Sequence, residues 1–427
     1  MPTSDPKRDF AVEVVRRLQE AGYTALWAGG CVRDLLIGHP PDDYDVATNA
    51  RPDEVRTLFG KRRTLAIGAS FGVILVQGPK NVDAGDVEVA TFRTEGPYLD
   101  GRRPETVTFA TPEEDAHRRD FTINGMFYDP LTERIHDFVG GRDDLERRLV
   151  RAIGDATARF TEDKLRMLRA VRMTARFDFQ LEQTTAGAVR QMAPEILVVS
   201  SERIAQELRK MLVHLRRATA MRLADDLKLL PVILPELAPI LAEPGATSWG
   251  RTLQMLERLE QPGFELALVT LLFEVEPSDA MTAARMAESV CRRLRLSNDE
   301  LNRIVWLTHH KTIPADIRDW RPSRLKRLMA NPDVDDLLRL YRAAADCGAG
   351  DATAVEFCER FLAETPATEI NPPELISGDD LIALGAFPGV KFKAWLEQIR
   401  DAQLDGTIEV REQALEEAKR LIAASGS

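Results

Sequence analysis

The sequence predicts an α/β head followed by an elongated all-α remainder. Two observations carry this. Over roughly the first 140 residues, short apolar runs alternate with stretches of helical spacing, the pattern of an α/β layer architecture. From about Gly141 onward the β runs almost vanish, and helical periodicity punctuated by prolines takes over. At 427 residues the chain also exceeds one ordinary hydrophobic core.

The head reads element by element. "FAVEVVRRLQEAG" (Phe10 to Gly22) has helical spacing and a glycine stop. "YTALWAGG" is a short apolar run ending in glycines and predicts a strand. "CVRDLLIG" predicts a short helix and "DYDVAT" a strand. "RPDEVRTLFG" is a helix opened by Pro52. "GVILVQG", "DVEVATFR" and "ERIHDFVGG" predict three further strands, giving a mixed sheet of about five. Beyond Gly141, "TEDKLRMLRAVRMTARF" and "SSERIAQELRKMLVHLRRATAMRLADDL" have helical period throughout.

Composition narrows the function classes. The balance of 44% hydrophobic and 29% charged residues is ordinary for a globular protein. No apolar run is long enough to cross a membrane, and the N-terminal residues lack the apolar core of a signal peptide. Cys31, Cys291, Cys347 and Cys358 have no metal-ligand spacing and predict free thiols in a cytoplasmic protein. The net charge of −11 argues against nucleic acid, but Leu145–Arg217 holds 15 Lys/Arg against 9 Asp/Glu. A basic segment in an acidic chain can still grip a polyanion.

The stretch "GGCVRDLLIGHPPDDYDVAT" (Gly29 to Thr48) is where chemistry enters. Asp43 and Asp45 are two apart, so an extended chain turns them to one face. Two carboxylates so placed repel each other unless a divalent cation lies between them, and Mg²⁺ often takes only one or two protein carboxylates plus substrate phosphates. Gly29 and Gly30 stand at a strand-to-helix junction, where phosphate can approach the backbone. The spacing fits neither a P-loop nor a dinucleotide fingerprint. Glu88 and Asp86, on the candidate strand "DVEVATFR", offer a third acid; Glu88 is favoured.

Arginines supply the complementary charge. In "RRDFTING", Arg119 and Asp120 are neighbours, predicting a cation toward a phosphate or ribose and an acid that anchors the loop. In "EDKLRMLRAVR", Asp163, Arg166, Arg169 and Arg172 recur every third residue, which on one helix keeps them on one side. An acid and a guanidinium side by side present the acceptor and donors needed to read a base edge.

Taken in order, "GGCVRDLLIG-PPDDYDVAT", "VEVATFRTE-PYLDGRRPETV", "RRDFTIN", "EDKLRMLRAVR" and "SSERIAQELRKML" resemble the bacterial-type (class II) tRNA nucleotidyltransferase and poly(A) polymerase family. The resemblance covers residues 10–217 densely and resumes from Leu375 to Gly406. It implies a head at 1–145 like the polymerase-β nucleotidyltransferase palm, a helical neck at 146–217, a body at 218–340 and a tail at 341–427 that meets tRNA. It implies that Asp43 and Asp45 bind catalytic Mg²⁺ in a two-metal site, with Glu88 as a less secure third carboxylate. Gly30 and Arg33 would hold a triphosphate, and Gly29 and Arg119 would bind the nucleotide. Asp163 and Arg166 would pair with the base of CTP or ATP, and Arg169 and Arg172 would contact the nucleotide further.

The implied activity is addition of C, C and A to the tRNA 3′ end. The 3′-hydroxyl attacks the α-phosphorus of CTP or ATP and pyrophosphate leaves. The partner is tRNA, through its acceptor stem and 3′ end; no membrane partner is implied, and no oligomeric state. Two departures stand out: Lys164 where the family often has proline, and Arg103 where it often has histidine. The segment Asp100 to Pro104 resembles the head's loop, which enzymes that add only CC tend to lack. The same motifs also suit an A-adding enzyme with a separate CC-adding partner, and less well a poly(A) polymerase, which usually carries a basic tail. A small-molecule nucleotidyltransferase would share Asp43 and Asp45 but lack the arginine motifs. A non-catalytic nucleotide-binding protein would not need both acids.

Overall fold

The structure is a computed structural model describing residues 5–68, 72–95, 107–243, 245, 247–275, 279–387 and 389–424. Residues 1–238 and 239–427 form two separate compact units.

In the first unit, α1 (Pro6–Glu20) starts where the Asp5 carboxylate accepts from the amides of Lys7 and Arg8. It is followed by β1 (Ala25–Ala28), α2 (Gly30–Leu36), β2 (Asp45–Thr48), α3 (Pro52–Phe59), β3 (Thr64–Gly68), β4 (Val73–Gln77) and β5 (Asp86–Thr91). A ribbon of β6 (Arg93–Glu95) and β7 (Val107–Phe109) comes next, then α4 (Pro112–His117), β8 (Phe127–Asp129) and β9 (Arg134–His136). The central sheet has the order β3-β4-β5-β2-β1-β8-β9. Only β2 and β5 pair in parallel within it, so the sheet is mixed.

The sheet therefore has seven strands rather than five. The two additions, β3 and β8, carry weak signals: β3 follows three cations and exposes Leu65 and Ile67, while β8 is three residues long. Under one face, Leu26, Ala28, Ala47, Phe92, Ala116 and Phe127 form a core, with the Phe92 and Phe127 rings edge to face at 5.7 Å. Trp27 is fully buried and meets Tyr44 at 4.6 Å.

The helices of this unit continue with α5 (Gly141–Glu146), α6 (Ala156–Glu162), α7 (Leu165–Phe177), α8 (Gln183–Met192), α9 (Ser201–Leu212) and α10 (Arg217–Asp226). One small parallel pair, β10 (Leu149–Val150) with β11 (Gln180–Leu181), interrupts the expected all-α region. The run expected as one helix from Thr161 to Phe177 is two. Asp163 is the extended C-cap of α6 (φ −144°, ψ 104°) and Lys164 precedes α7. Neither a glycine nor a proline marks this break. α7 is buried nearly all round, so its arginines do not form a solvated stripe.

The second unit is helical. Its longer helices are Thr247–Arg258, Phe264–Leu271, Ala280–Arg293, Asn298–His309, Pro322–Met329, Val334–Asp346, Ala352–Glu364, Val390–Leu404 and Arg411–Ala424. Ser297 and Glu300 form a capping box, and Asp279 and Asp351 cap their helices. Toward its C-terminus a core gathers around Ile376, Leu381, Ile399 and Ala414. No described helix is long and apolar enough to cross a membrane. All four cysteines are free thiols.

Candidate active site

A cavity of about 480 Å³ opens in the first unit. The β1–α2 junction forms one edge. Gly29 has φ +75°, a backbone conformation that favours glycine, and a Cβ there would lie 3.0 Å from Arg119 Nη1, so the guanidinium would have to give by a few tenths of an ångström. α2 has only seven residues, so close backbone approach rather than a long helix dipole is what the Gly29–Gly30 turn offers.

Asp43 and Asp45 line the same cavity by a route that the sequence only half anticipated. Asp45 is the first residue of β2, whereas Asp43 lies in the bend before it. Between them the Tyr44 side chain is buried against Trp27. Glu88 is the register partner of Asp45 across the parallel β2–β5 pair, so the two share a face. It does not line the cavity. Asp86 instead accepts from the Gly78 amide at 3.2 Å at the β4–β5 turn.

The carboxyl of Asp45 is pushed up to about 6, by crowding of the protein around it and then by the negative charges of Asp43 and Glu88; Arg119 opposes this. Its surface remains open toward the cavity, so the crowding removes bulk solvent without sealing the group away. Behind it, burial pushes the Cys31 thiol up to about 12; the Sγ atom lies 3.3 Å from the Ala28 carbonyl oxygen. Among the described residues, no group of three or more His, Cys, Asp or Glu is placed to hold a metal unaided. A cation here would take Asp43 and Asp45 and complete its shell from the ligand's own oxygens.

The cationic walls are themselves anchored. Arg33 is 4% exposed; its Nε donates to Asp34 at 2.9 Å, its Nη1 to Asn124 Oδ1 at 2.5 Å, and its guanidinium stacks 4.3 Å from the Phe177 ring. Arg119 donates from Nε and Nη2 to Asp115 at 3.1 and 2.9 Å, and Asp115 also accepts from Arg118 at 2.8 Å. Burial alone would raise Asp115, but these two guanidiniums hold it below its ordinary value. Asp120 anchors its loop by accepting from the Phe121 amide and Asn124 Nδ2, and takes Arg169 Nε at 2.8 Å. Its burial is overcome by Arg169 and Asn124, so it stays far below the usual carboxylate range.

The arginines of α7 thus bridge to other segments. Arg166 donates to the Arg118 carbonyl at 3.0 Å and to Glu162 at 2.6 Å. Arg172 is buried and donates to Glu207 of α9 at 2.6 Å. Asp163 is held at both oxygens by Arg203 of α9, at 3.1 and 2.7 Å. All the expected site residues except Glu88 line this one cavity. Sequence reasoning missed Arg203, Asn124 and Arg176. The first two lie inside the motifs "SSERIAQELRKML" and "RRDFTIN", but no spacing marks them as cavity residues. The segment Asp100 to Pro104 lies outside the described residues.

The cavity combines acids on one wall with guanidiniums on the others, an arrangement suited to a polyphosphate that brings a cation with it. The fold is that of a nucleotidyltransferase head followed by an all-helical region. Residues 25–151 match the poly A polymerase head domain, and residues 178–241 match the probable RNA and SrmB-binding site of polymerase A. Over 411 residues, 95% of this chain and 94% of the relative, the sequence is 31% identical to a CCA-adding enzyme of Enterococcus faecalis. The chain belongs to the family of CCA-adding enzymes. It is 44% identical over 235 residues to a CCA-adding enzyme of Geobacillus thermodenitrificans; that match spans 55% of this chain and a little over half (56%) of the relative. The crystal structure of a Bacillus stearothermophilus CCA-adding enzyme in complex with CTP superposes with a TM-score of 0.74 at 27% identity, covering 99% of this chain and 100% of that one.

Proposed function

We propose that this chain adds C, C and A to the 3′ end of tRNA, using CTP and ATP and releasing pyrophosphate, in the cytoplasm. The observation that carries this reading is one cavity lined by Asp43, Asp45, the Gly29–Gly30 turn and the Asp163–Arg166 pair. Relatives bearing the name CCA-adding enzyme support it.

On this reading Asp43 and Asp45 hold Mg²⁺. The residues fit such an ion: burial first, and then the like charges of Asp43 and Glu88, raise the Asp45 carboxyl to about 6, and a divalent cation relieves the repulsive part. When bound, the metal site supplies activation of the attacking 3′-hydroxyl and neutralisation of the leaving pyrophosphate. The chain's own residues do the rest by position. Arg33 and Arg119, fixed by Asn124 and Asp115, keep their guanidiniums toward the triphosphate. The turn at Gly29 keeps side-chain bulk out of its path. Asp163 and Arg166 offer acceptor and donors to the base edge, with Arg203 holding the acid and the Arg118 carbonyl holding the base-facing guanidinium. A site whose polar groups go unpaired with the wrong base rejects it strongly. Glu88 acts from the adjacent strand through charge on Asp45 rather than by contact. The segment 146–217 serves as the base-reading neck, and 341–427 as a tail that meets tRNA.

The deciding experiment offers the purified protein three tRNAs, one lacking CCA, one ending in CC and one complete, with CTP and ATP separately and together. Extension of the first by CCA is the expected result. Action on the CC-ending tRNA alone identifies an A-adding enzyme, and long A tails a poly(A) polymerase; either outcome replaces the reading.

A further inference from the structure

The run "VWLTHHKT" (Val305 to Thr312) has no part in the cavity above. It closes the helix Asn298–His309 in the second unit. One of its residues is structural: Lys311 is buried and donates to the carbonyls of Phe273 and Val275 at 2.6 and 2.8 Å, just past the helix Phe264–Leu271. The imidazoles and indole beside it line a cavity of about 410 Å³, together with Trp320, Arg324 and Tyr341.

The walls of this cavity are aromatic and fixed. The Trp306 and His310 rings lie 4.6 Å apart at 35°. His310 Nδ1 is 2.8 Å from the Trp306 carbonyl oxygen; a carbonyl only accepts, so Nδ1 carries the proton and Nε2 of the neutral ring is an acceptor. Tyr341 donates to the His310 carbonyl at 2.7 Å, and Trp320 Nε1 donates to Asp316 at 3.1 Å, which sets the indole plane. The guanidinium of Arg324 lies 3.5 Å from the Trp320 ring centroid. Among the described residues, no carboxylate pairs with Arg324, although most arginines of this unit are paired.

We infer that this cavity is a stacking site for one unpaired base of an RNA strand, with Arg324 on the adjoining phosphate. The inference rests on the reading that the chain acts on tRNA. Proteins that hold single-stranded nucleic acid combine aromatic faces, which accept any base, with guanidiniums that track the backbone. Trp306, His310 and Trp320 supply the faces, and Arg324 supplies a cation already poised on an indole and not neutralised. Arg324 is exposed at the edge of the cavity, where a strand's phosphate can reach it, and the two indoles are half-buried. A metal site would need a third ligand, and the described residues offer none.

The test measures binding rather than activity, so failure of nucleotide transfer and failure of this site are separable. Deacylated tRNA is titrated against the full chain and its variants by filter binding at several salt concentrations, and CTP affinity is measured alongside. Trp320→Ala is expected to weaken tRNA binding roughly 5- to 100-fold, the range of one stacked base. Trp320→Phe, which keeps a ring, stays within about twofold on the same grounds. Arg324→Ala weakens binding and lowers the salt slope by about one, whereas Trp320→Ala leaves the slope unchanged. CTP affinity holds in all three. Photoreactive tRNA cross-links to the peptide spanning 306–324 in the wild type. Unchanged tRNA affinity in folded Trp320→Ala and Arg324→Ala overturns the site, as do cross-links confined elsewhere. If Trp320→Ala unfolds, Arg324→Ala and the cross-link decide.

Discussion

Arg203 grips both carboxylate oxygens of Asp163 in a two-point contact, at 3.1 and 2.7 Å, from a helix forty residues further along the chain. Asp163 sits on neither helix of its own segment: it is the extended residue between α6 and α7. The Leu165 amide also donates to Asp163 Oδ1 at 3.0 Å, so Oδ2 is the oxygen whose placement depends on the distant guanidinium. The planar fork fixes it in one orientation, as a lysine's point charge could not.

Arg203→Ala is therefore expected to blur base choice more than it slows chemistry. The KM for CTP and ATP should rise about tenfold, and incorporation of UTP and GTP should increase, since discrimination by paired polar groups depends on their position. Single-nucleotide incorporation with each of the four triphosphates measures this. Unchanged selectivity would remove Arg203 from the account of base reading.

Asp45 gives a pH signature of opposite sign to most carboxylates. Its folded value of about 6 lies above the ordinary 3.8, so the folded state binds its proton more tightly than the unfolded chain does. The linked stability is fully present below the ordinary value and is lost as pH rises through about 6. Asp45→Asn should therefore be more stable than wild type at pH 8, by at most about 1 kcal/mol because the open cavity screens the repulsion. The gain should vanish near pH 3.5. Nucleotide transfer should be abolished, and Mg²⁺ affinity of the wild type should fall as pH drops below about 6. Thermal melts across pH and calorimetric Mg²⁺ titrations check both halves.

Asp120 behaves in the usual direction. Arg169 and Asn124 hold its carboxyl well below 3.8, so its stabilisation is present above that value and lost as pH falls further. Asp120→Ala leaves Arg169, the Phe121 amide and Asn124 without their acceptor. The cost should be about 2–3 kcal/mol, somewhat below a fully buried pair because the Arg169 side chain is 36% exposed. Urea unfolding at pH 7 reads the loss, and the difference from wild type should shrink in acid.

Gly29→Ala combines strain with displacement. The positive φ costs a non-glycine residue about 1–3 kcal/mol. The new methyl also meets Arg119 Nη1 at 3.0 Å and must push the guanidinium aside. Transfer should fall by a larger factor than stability alone explains, whereas Gly140→Ala, also at positive φ but with no atom within 4 Å, should cost stability only. Gly140 is left-handed helical (φ 75°, ψ 25°), a milder strain than that at Gly29 (φ 75°, ψ −125°), so the two are compared at matched stability, and equal activity there would remove Arg119 from the account.

The sequence by itself determined the order of the parts: an α/β head, then helices, and the acids, glycines and arginines that the site uses. The elements were legible because they follow local rules, period two for strands and helical period for helices, and the candidate site residues because five motifs in order resemble one family; the period-two rule alone put Asp43 on the strand, and it lies in the bend before β2. Only the tertiary structure decided which of them meet. The parallel pairing of β2 and β5 puts Glu88 beside Asp45, yet its side chain stays off the cavity wall. The break at Asp163 carries no glycine or proline to announce it. The spacing of Arg169 and Arg172 put them on one side of a helix, but nothing along the chain announced that Asp120 and Glu207, 49 and 35 residues away, would hold them. Long-range ion pairs leave no periodic trace, because their energy depends on distance in space and not on separation along the chain.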